Sequence, residues 1–433
     1  MKFTVARDAL GEAVAFISRA LPSRPVLPVL SGMLVEASDG GLTLSCFDYE
    51  VSARVRVDAD VSAAGSALVP GRLLAEITRN LPDAPAEFGS DGEVVNLRCG
   101  QAEFGLVCLP MQEYPALPDS PDPVGVVDAA VLATAVGQVA AAASRDDTLP
   151  MLTAICLDIA GEVLTLAATD RYRLAARATA FVPAEPGIRA LALVPARIMV
   201  EVARTFPAAG PVTVAFASDG DASGARHAAG LAPAADDRPR PAEGLVSFES
   251  GDRRLTARLI SGEFIRYQNR FGSDFGCRAE LPAGAVIEAV RRAALVAERA
   301  GPVRLSFRSG QVMIEAHAEG RARAAESVAA EFSGDQPVIA FNPVFLLDGL
   351  TAAASGSAGA GATGTGAAAA AERAEGTDGA GEEAGGAGEP GRIRLEFNTP
   401  AKPALITWTS DEERDGVPAF RYLLVPLRVA ERG

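Results

Sequence analysis

Apolar and polar positions recur along the chain in a fixed order of short runs. Each round begins with an amphipathic segment of helical period, at residues 7–20, 129–143 and 283–299. Two strand-like runs about a Gly or Asp turn follow, then a helical segment that starts at a proline, then more strands. Because the helices are few and the strands alternate, the pattern predicts an α+β fold. We expect each round to form a mainly antiparallel sheet with two helices on one face.

The first two rounds are repeats of one another at the level of residues. LPVLSGMLVEASDGGLTLSCFD (27–48) aligns without a gap with LPMLTAICLDIAGEVLTLAATD (149–170), at an offset of 122 residues. ALVPGRLLAEITRNLP (67–82) aligns with ALVPARIMVEVARTFP (192–207) at an offset of 125 residues. Two ordered and nearly equal offsets indicate duplicated domains rather than chance similarity.

A third, more diverged copy follows. IAFNPVFLLDGL (339–350) sets Pro343 against Pro70 and Pro195, which all suit the first turn of a helix, where a missing N–H costs nothing. VRLSFRSGQVMIEA (303–316) repeats the pair of strands around a turn. The sequence therefore predicts three homologous domains of about 125 core residues each, with the boundaries 1–123, 124–276 and 277–433.

Two segments break the repeat. Residues 218–242 and 353–391 are rich in Gly, Ala, Pro and acids, a composition that cannot bury a core, so we expect a flexible insertion and a disordered acidic insertion. The second segment holds six acids and one arginine, which is −5 of the net charge of −15. The rest of the chain is therefore less acidic than the total suggests.

The net charge argues against simple electrostatic adsorption to nucleic acid or to an anionic membrane, but the arginines are not placed at random. Arg72, Glu76 and Arg79 form one stripe of a helix, and Arg197, Glu201 and Arg204 recur at the matching positions. One interpretation is a solvated, salt-bridged face. The other is a basic stripe that faces a polyanion, to which Arg292 and Arg299 would add in the third copy. We expect Leu73, Leu74, Ile77 and Leu81 to face the core.

Residues that carry catalytic chemistry are scarce. The two histidines, His227 and His317, have no partner at metal-ligand or triad spacing. GAGATG (359–364) matches a dinucleotide fingerprint only formally, because it lies in low-complexity sequence rather than between a strand and a helix. We therefore predict no enzymatic activity, no metal and no cofactor.

The expected compartment is the cytoplasm. The first ten residues carry charges at Lys2, Arg7 and Asp8, and no apolar run is long enough for a signal peptide or a spanning helix. Five cysteines form no CxxC pair, which is typical of a reducing environment.

ATDRYRL (168–174) raises a separate question. It follows a buried strand without the Gly, Asn or Pro after the Asp that a simple solvated turn would favour. Its Asp170 recurs as Asp48 of the first copy, which indicates a structural role such as holding a turn. Thr169, Tyr172 and Arg173 are replaced there by Phe47, Glu50 and Val51. We therefore interpret these three residues as a partner-binding wall that only the second repeat supplies.

Several of these stretches together resemble a known family. RPVLPVL (24–30), FGLVCLPMQEYPALP (104–118), SRDDTLPMLT (144–153), ATDRYRL and RYLLVPLRV (421–429) are similar, in collinear order, to the bacterial sliding clamp. That protein is the beta subunit of DNA polymerase III, and the resemblance is to its actinobacterial form. The resemblance covers essentially the whole chain apart from the two insertions.

The resemblance implies three clamp domains per chain, with sheets outside and helices inside, in a head-to-tail homodimer that forms a ring. It implies a processivity factor without catalytic activity that encircles duplex DNA regardless of sequence, at the nucleoid. The implied partners are the DNA polymerase III catalytic subunit, the clamp loader, and other replicative or repair polymerases that carry clamp-binding motifs.

Site residues carried over from the family fall into three groups. The partner-peptide pocket would comprise Leu152, Thr169, Tyr172, Arg173, Leu174, Ile265, Asn269, Asn342, Phe345, Leu423, Val425, Pro426, Leu427 and Arg428. The DNA contacts would be Arg24, Arg72, Arg79, Arg145, Arg197 and Arg204. Phe104 and Leu106 on an edge strand would meet Ala294 and Leu295 of the other chain.

The chain departs from the family pattern in the pocket wall. Ile265 stands where a proline is expected, and Gln268-Asn269-Arg270 is unusual for the stretch that follows. An alternative function stays open on this ground: a specialised paralogous clamp with an altered partner pocket, which serves repair or inhibitor tolerance.

Overall fold

In the computed structural model, two compact units are formed by the described residues, which are 1–216, 241–272, 274–297, 301–318, 321–335, 337–356, 391–409, 413–414 and 417–428. The first unit comprises Met1–Ala133, Ala154–Leu164 and Ala180–Phe264. The second comprises Thr134–Thr153, Thr165–Thr179 and Ile265–Gly433. Within the described residues, no helix is both long and apolar enough to cross a membrane.

The described residues contain six α-helices, two for each predicted repeat. They are α1 (Arg7–Ala20), α2 (Gly71–Arg79), α3 (Ala129–Val139), α4 (Ala196–Thr205), α5 (Ala283–Val296) and α6 (Pro343–Ser355). The helices predicted from periodicity are confirmed as α1, α3 and α5. Of the three prolines, Pro343 is the first residue of its helix, while Pro70 and Pro195 each lie one residue before theirs.

The strands of the first unit form two sheets and a further pair. They are β1 (Lys2–Val5), β2 (Gly32–Ser38), β3 (Gly41–Phe47), β4 (Val51–Val57), β5 (Asp60–Ala63), β6 (Gly65–Pro70), β7 (Ala86–Ser90), β8 (Val94–Cys99), β9 (Ala102–Val107), β10 (Pro123–Asp128), β11 (Ala154–Ala160), β14 (Val182–Pro183), β15 (Arg189–Pro195), β16 (Pro211–Phe216), β17 (Leu245–Ser250) and β18 (Arg253–Arg258). One sheet has the order β5-β1-β7-β8-β9 and the other β14-β10-β16-β17-β18-β4-β3-β2-β6, while β11 pairs with β15.

Strand β12 (Val163–Thr169) runs from the first unit into the second, where the remaining strands lie. These are β13 (Arg173–Ala180), β19 (Cys277–Pro282), β20 (Val303–Arg308), β21 (Gln311–Ala318), β22 (Ala322–Ala329), β23 (Glu331–Ser333), β24 (Val338–Phe341), β25 (Arg392–Phe397), β26 (Ala404–Trp408), β27 (Glu413–Arg414), β28 (Val417–Pro418) and β29 (Phe420–Leu424). Six of them follow in the order β13-β29-β26-β25-β19-β23, four in the order β22-β21-β20-β24, and β27 pairs with β28.

The sheet pairing explains why there are two units where the sequence predicts three domains. Strand β18 of the second repeat pairs with β4 of the first, and β13 of the second repeat pairs with β29 of the third. Strands of the second repeat therefore extend the sheets of both neighbouring repeats. The predicted boundaries at 123/124 and 276/277 stay predictions.

Helix burial follows the predicted pattern with one correction. Helix α1 buries Leu10, Val14 and Ile17, which recur at helical spacing. In α2, Leu74 is buried, but Leu73 is 46% exposed and does not face the core as predicted. Leu73 directly follows Arg72 and lies on the border between the charged and buried sides of this short helix.

The folded body reaches further into the predicted insertions than composition suggested. Ala242 donates its backbone N–H to the Leu191 carbonyl at 2.6 Å, and α6 continues to Ser355. The Gly391 carbonyl accepts from the Ala283 N–H at 2.9 Å. The flexibility predicted for the remainder of both insertions, and the residue His227, lie outside the described residues.

Candidate functional site

The stretch between β12 and β13 forms a tight turn that the side chain of Asp170 holds. Its Oδ1 accepts the backbone N–H groups of Tyr172 at 3.0 Å and Arg173 at 3.1 Å. The Thr169 hydroxyl donates to the Arg173 carbonyl at 2.7 Å. Arg171 has φ +79°, a left-handed conformation that non-glycine residues rarely adopt. The turn leaves Tyr172 56% exposed, whereas the Arg173 side chain is only 9% exposed.

The first repeat contains the same turn. Asp48 Oδ1 accepts from the N–H groups of Glu50 at 3.0 Å and Val51 at 2.7 Å, and Tyr49 has φ +73°. The structural role predicted for the shared Asp is therefore confirmed. Both turns form without Gly, Asn or Pro after the Asp, because the carboxylate supplies the hydrogen bonds that stabilise a strained non-glycine residue.

Arg173 is the centre of a buried polar network in the second unit. Its Nε donates to Asp170 Oδ2 at 2.9 Å, and its Nη1 donates to Asp348 Oδ2 at 2.6 Å. The same Nη1 lies 3.4 Å from the Tyr422 hydroxyl oxygen, and the guanidinium carbon lies 4.2 Å from the centre of the Phe345 ring. A buried charge is tolerated when it is paired and hydrogen-bonded in this way.

The phenol of Tyr422 completes the network as a neutral group. Burial raises the pKa of Tyr422 above its usual value, although the nearby Arg173 acts in the opposite direction. The hydroxyl donates to the Phe345 carbonyl at 2.9 Å. Sequence reasoning missed both Tyr422 and Asp348, since their contacts to Arg173 span 249 and 175 residues of chain.

The exposed side of this network is apolar. The Tyr172 ring stacks on Phe345 at a centroid distance of 6.3 Å. The segment after β29 runs past both residues, because Val425 donates its N–H to the Tyr172 carbonyl at 2.9 Å and Leu427 donates to the Ala340 carbonyl at 2.7 Å. Val425 and Leu427 are exposed, so Tyr172 and these two side chains form an uncovered apolar strip.

Asn342 and Phe345 belong to the start of α6. The Asn342 side chain caps the helix by accepting from the N–H groups of Val344 at 2.9 Å and Phe345 at 3.3 Å. The carbonyl that Leu427 reaches belongs to Ala340, two residues before this cap. The cap therefore stabilises the first turn of α6, which carries Phe345.

A second row of predicted pocket residues lies on the sheet itself. Leu174 on β13 is the cross-strand partner of Leu423 on β29, so both point to one face. Arg421, two residues before Leu423, belongs to the same face, and its guanidinium lies 4.2 Å over the Phe271 ring. The segment that carries the exposed residues Ile265 and Asn269 therefore reaches this face through Phe271.

All fourteen predicted pocket residues lie in the second unit, but direct contacts join only some of them. Thr169, Tyr172, Arg173, Phe345 and Val425 form one connected group. Leu152 and Pro426 are buried and Arg428 is exposed. As parts of a peptide pocket, all fourteen residues stay predictions.

The arginines predicted to contact DNA are all exposed, and they differ in their pairing. On α4, Glu201 lies 4.0 Å from Arg204 and 3.8 Å from Arg19 of α1, so this stripe is partly salt-bridged. On α2, within the described ranges, neither Arg72 nor Arg79 forms an ion pair with a carboxylate. Arg72 instead donates to the Pro22 carbonyl at 3.0 Å.

In the first unit, several of these basic residues are neighbours. The bond from Arg72 to Pro22 places α2 beside the loop that carries Arg24. Arg19, Pro22, Ser23 and Arg197 line one concavity of about 340 Å³. Parts of α1, α2 and α4 thus contribute arginines around the loop at 22–24. Arg145 lies in the second unit, and Arg299 lies outside the described residues.

The residues predicted for a dimer interface are not equally available. Strand β9 is an edge strand, yet Leu106 is 1% exposed and packs into the core of its own unit. Its side chain is therefore covered within its own unit, and the role predicted for Leu106 in the dimer interface stays a prediction. Phe104 is half-buried, and Val107 is the exposed apolar residue of this strand. On α5, Ala294 is half-buried and Leu295 is 84% exposed.

Two concavities stand out, and neither contains a predicted pocket residue. One, of about 350 Å³, lies between the start of α3 and the end of α4, and the other is the concavity beside Arg19. Within the part of the chain that the structure describes, no group of three His, Cys, Asp or Glu residues is placed to hold a metal ion.

Three family models match the chain in succession. They describe the N-terminal domain (residues 1–118), the central domain (126–265) and the C-terminal domain (273–363) of the DNA polymerase III beta subunit. The beta sliding clamp of Streptomyces coelicolor is 41% identical over 430 residues, which is 99% of this chain and 100% of the relative. A beta sliding clamp homolog, GriR of Streptomyces muensis, is 39% identical over 81% of this chain and 88% of its own length.

Solved structures show the same fold. The DNA polymerase sliding clamp of Bacillus subtilis superposes with a TM-score of 0.79 at 22% identity, over 99% of this chain and 100% of its own. A sliding clamp of Pseudomonas aeruginosa bound to griselimycin also gives a TM-score of 0.79 at 22% identity, with the same coverage. At this identity the likeness establishes the architecture, and the closer sequence relatives establish the family.

Proposed function

This chain belongs to the family of bacterial DNA polymerase III beta subunits, the sliding clamps, and from that premise we propose that it is a DNA sliding clamp. In this function the chain is a processivity factor without catalytic activity. It forms a head-to-tail homodimeric ring around duplex DNA and tethers polymerases to it. It would act in the cytoplasm, on the nucleoid. The observation that carries the proposal is 41% identity to a beta sliding clamp over 99% of the chain.

The partner site we propose is the groove beside the Asp170 turn. Its exposed strip is apolar at Tyr172, Val425 and Leu427, and polar backbone groups border it. Such a surface suits a short extended peptide that inserts hydrophobic side chains. The peptides would belong to the polymerase III catalytic subunit, the clamp loader and other polymerases with clamp-binding motifs.

The DNA contacts we propose are phosphate contacts from the exposed arginines. Arg72 and Arg79 have no carboxylate partner among the described residues, so their charge is available to a polyanion. Arg24, Arg197 and Arg204 would add to this surface in the first unit, and Arg145 would contribute from the second. Contacts of this kind bind DNA without reading its sequence and weaken steeply with salt.

The ring closes, in this proposal, through an edge strand of each chain. Among the described strands, β9 has no partner on its outer edge, where Val107 is exposed and Phe104 contributes a half-buried ring. The exposed Leu295, beside Ala294 on α5, is the apolar contact expected on the other chain. Pairing two edges buries backbone groups that would otherwise stay unsatisfied.

The decisive experiment loads the protein on nicked circular DNA with a competent clamp loader and then linearises the DNA. A ring that encloses DNA stays on the circle and slides off the ends of the linear form. Equal retention on both forms, or no retention in the presence of the loader, would exclude a topological link.

A second candidate is a specialised clamp with an altered pocket, which serves repair or inhibitor tolerance. It is favoured by the match to a beta sliding clamp homolog and by Ile265 and Asn269 in the pocket wall. The two candidates differ in peptide preference. Titration with motif peptides from the replicative polymerase and from repair polymerases decides between them, because the main replicative clamp must bind the replicative motif.

A further inference from the structure

The exposed Tyr172 and the largely buried side chain of Arg173 both contact the ring of Phe345. The Tyr172 ring packs on Phe345 at 6.3 Å between centroids, and the Arg173 guanidinium lies on Phe345 at 4.2 Å. Tyr172 and Arg173 are consecutive residues of the turn, whereas Phe345 belongs to α6. The position of the exposed ring therefore depends on how firmly the turn is joined to the helix.

Asp348 supplies that junction. It lies on α6 one turn after Phe345, and its carboxylate binds Arg173 Nη1 at 2.6 Å. Asp170 binds the same guanidinium from the turn at 2.9 Å. One helix thus provides both the ring under the cation and the carboxylate that holds the cation on the ring. A charge-assisted bond of this length is among the stronger polar contacts in a protein.

The first repeat shows what the same turn is like without this arginine. Val51 stands at the position of Arg173, and the alignment of Pro195 with Pro343 sets Arg197 at the position of Phe345. There the concavity of about 340 Å³ opens beside the turn, lined by Asp48, Val51 and Arg197. The backbone of the turn is therefore not enough to produce a packed surface. The two repeats differ in the side chains that pack against the turn.

We infer that Asp348 is a positioning residue of the peptide groove: it holds Arg173 against Phe345 and so fixes the Tyr172 ring that a bound peptide meets. The inference rests on the proposed function. Because Asp170, Asp348 and Tyr422 bind Nε and Nη1 of Arg173, and its side chain is only 9% exposed, the groove presents the incoming peptide with aromatic surface rather than with an exposed cation. The arrangement selects apolar side chains over acidic ones.

The test compares Asp348→Ala and Asp348→Asn in the full-length chain, with a synthetic clamp-motif peptide carrying leucine and phenylalanine as the probe. The matched control is Glu331→Gln, which breaks another ion pair of the same unit, that of Glu331 with Arg392 at 2.6 Å. We expect the Ala variant to bind the peptide about tenfold more weakly, since the charge-assisted hydrogen bond that holds Arg173 on the Phe345 ring is lost. The Asn variant, which keeps an acceptor, should recover part of the loss, and the control should bind like the wild type.

A double-mutant cycle with Tyr172→Ala separates positioning from general loss of structure. If Asp348 acts through the aromatic stack, its removal has little further effect once Tyr172 is absent, so the two losses do not add. Losses that multiply to within about twofold would overturn the inference, because independent sites behave additively. Wild-type affinity in Asp348→Ala would overturn it as well.

The outcomes also separate this inference from the proposed function. A wild-type chain that fails to bind the peptide contradicts the peptide groove itself. A wild-type chain that binds while all Asp348 variants bind equally well contradicts only the role of Asp348. Thermal melting of each variant, with and without peptide, identifies any variant that is not folded.

Discussion

At the scale of single residues, the two copies of one turn show how side chains give equivalent backbones different roles. Asp48 and Asp170 hold the same turn, and Tyr49 and Arg171 adopt the same left-handed conformation. The recurrence of the Asp was visible in the sequence and predicted its structural role. The partners of Arg173 were not predictable, because Asp348 is 175 residues away and nothing local marks it.

We predict that Asp170→Asn destabilises the protein more than Asp48→Asn does. Both substitutions weaken a turn held by two backbone N–H groups, but only Asp170 also neutralises a buried guanidinium. The additional loss should be about 1–3 kcal/mol in the free energy of unfolding. Urea unfolding of both variants measures the difference, and equal losses would show that the Asp170–Arg173 pair contributes nothing.

Burial of Cys46 predicts a loss of stability at alkaline pH. Burial raises the pKa of its thiol to about 12, whereas an exposed thiol ionises at about 8.5. The unfolded state therefore loses its proton first. The contribution to stability is complete below about pH 8.5 and falls as pH rises toward 12, by up to about 1.4 kcal/mol per unit.

The variant Cys46→Ala tests this slope. It should lose less unfolding free energy than the wild type between about pH 8 and about pH 10, whatever its stability at neutral pH. Urea unfolding at a series of pH values gives the two slopes. Identical slopes would mean that the thiol does not ionise differently in the two states.

At the scale of elements, the local sequence predicts where helices begin and which runs form strands. It does not always predict which side chains of an element are exposed. The period of residues 7–20 defined α1, and the three prolines marked helix starts to within one residue. The same reasoning misplaced Leu73, which is exposed. Periodicity assigns a residue to a side of an element, and only the packing of the whole domain decides how far that side is covered.

If α2 contacts DNA phosphates, loss of one of its arginines should change both the affinity for DNA and its dependence on salt. Arg72→Ala should weaken binding to duplex DNA of any sequence and lower the slope of log affinity against log salt by about one. Arg292→Ala is the matched control, because Arg292 is already paired with Glu326 at 2.6 Å. Fluorescence anisotropy at several salt concentrations measures both. An equal effect of the two substitutions would assign α2 to a solvated face without a role in DNA binding.

At the scale of the whole molecule, three repeats could be predicted from the sequence, but the two compact units could not. The offsets of 122 and 125 residues revealed duplication, and the family models match in the same order. How strands are shared between repeats depends on pairings such as β4 with β18, which join residues about 200 positions apart. No local sequence pattern in β4 or β18 predicts that these two strands pair with each other.

Residues 357–390 can be replaced, we predict, by a short Gly-Ser linker without loss of the fold. Both flanks are already anchored, since α6 extends to Ser355 and the Gly391 carbonyl accepts from Ala283 at 2.9 Å. Thermal unfolding and the dimer dissociation constant should stay close to the wild-type values. A large fall in either would mean that the segment contributes to the folded body.

A charge at Leu295 should prevent formation of the proposed dimer. Because its side chain is 84% exposed in the single chain, Leu295→Asp should not destabilise the fold, but it would place a charge in the proposed dimer contact. Val182→Asp, at another exposed apolar residue, is the control. Sedimentation should detect monomers only for the first variant, and dimers for both would exclude Leu295 from the interface.

The strained turn shared by Asp48 and Asp170 also has a use in protein engineering. Since the first repeat already has the backbone that presents Tyr172 and Arg173, a graft needs side chains only: Glu50→Tyr and Val51→Arg on the turn, with Arg197→Phe and Val200→Asp on the helix across the concavity. The duplicated turn is therefore a ready acceptor for transplanted recognition. A clamp chain rebuilt in this way would carry a second copy of the proposed peptide site.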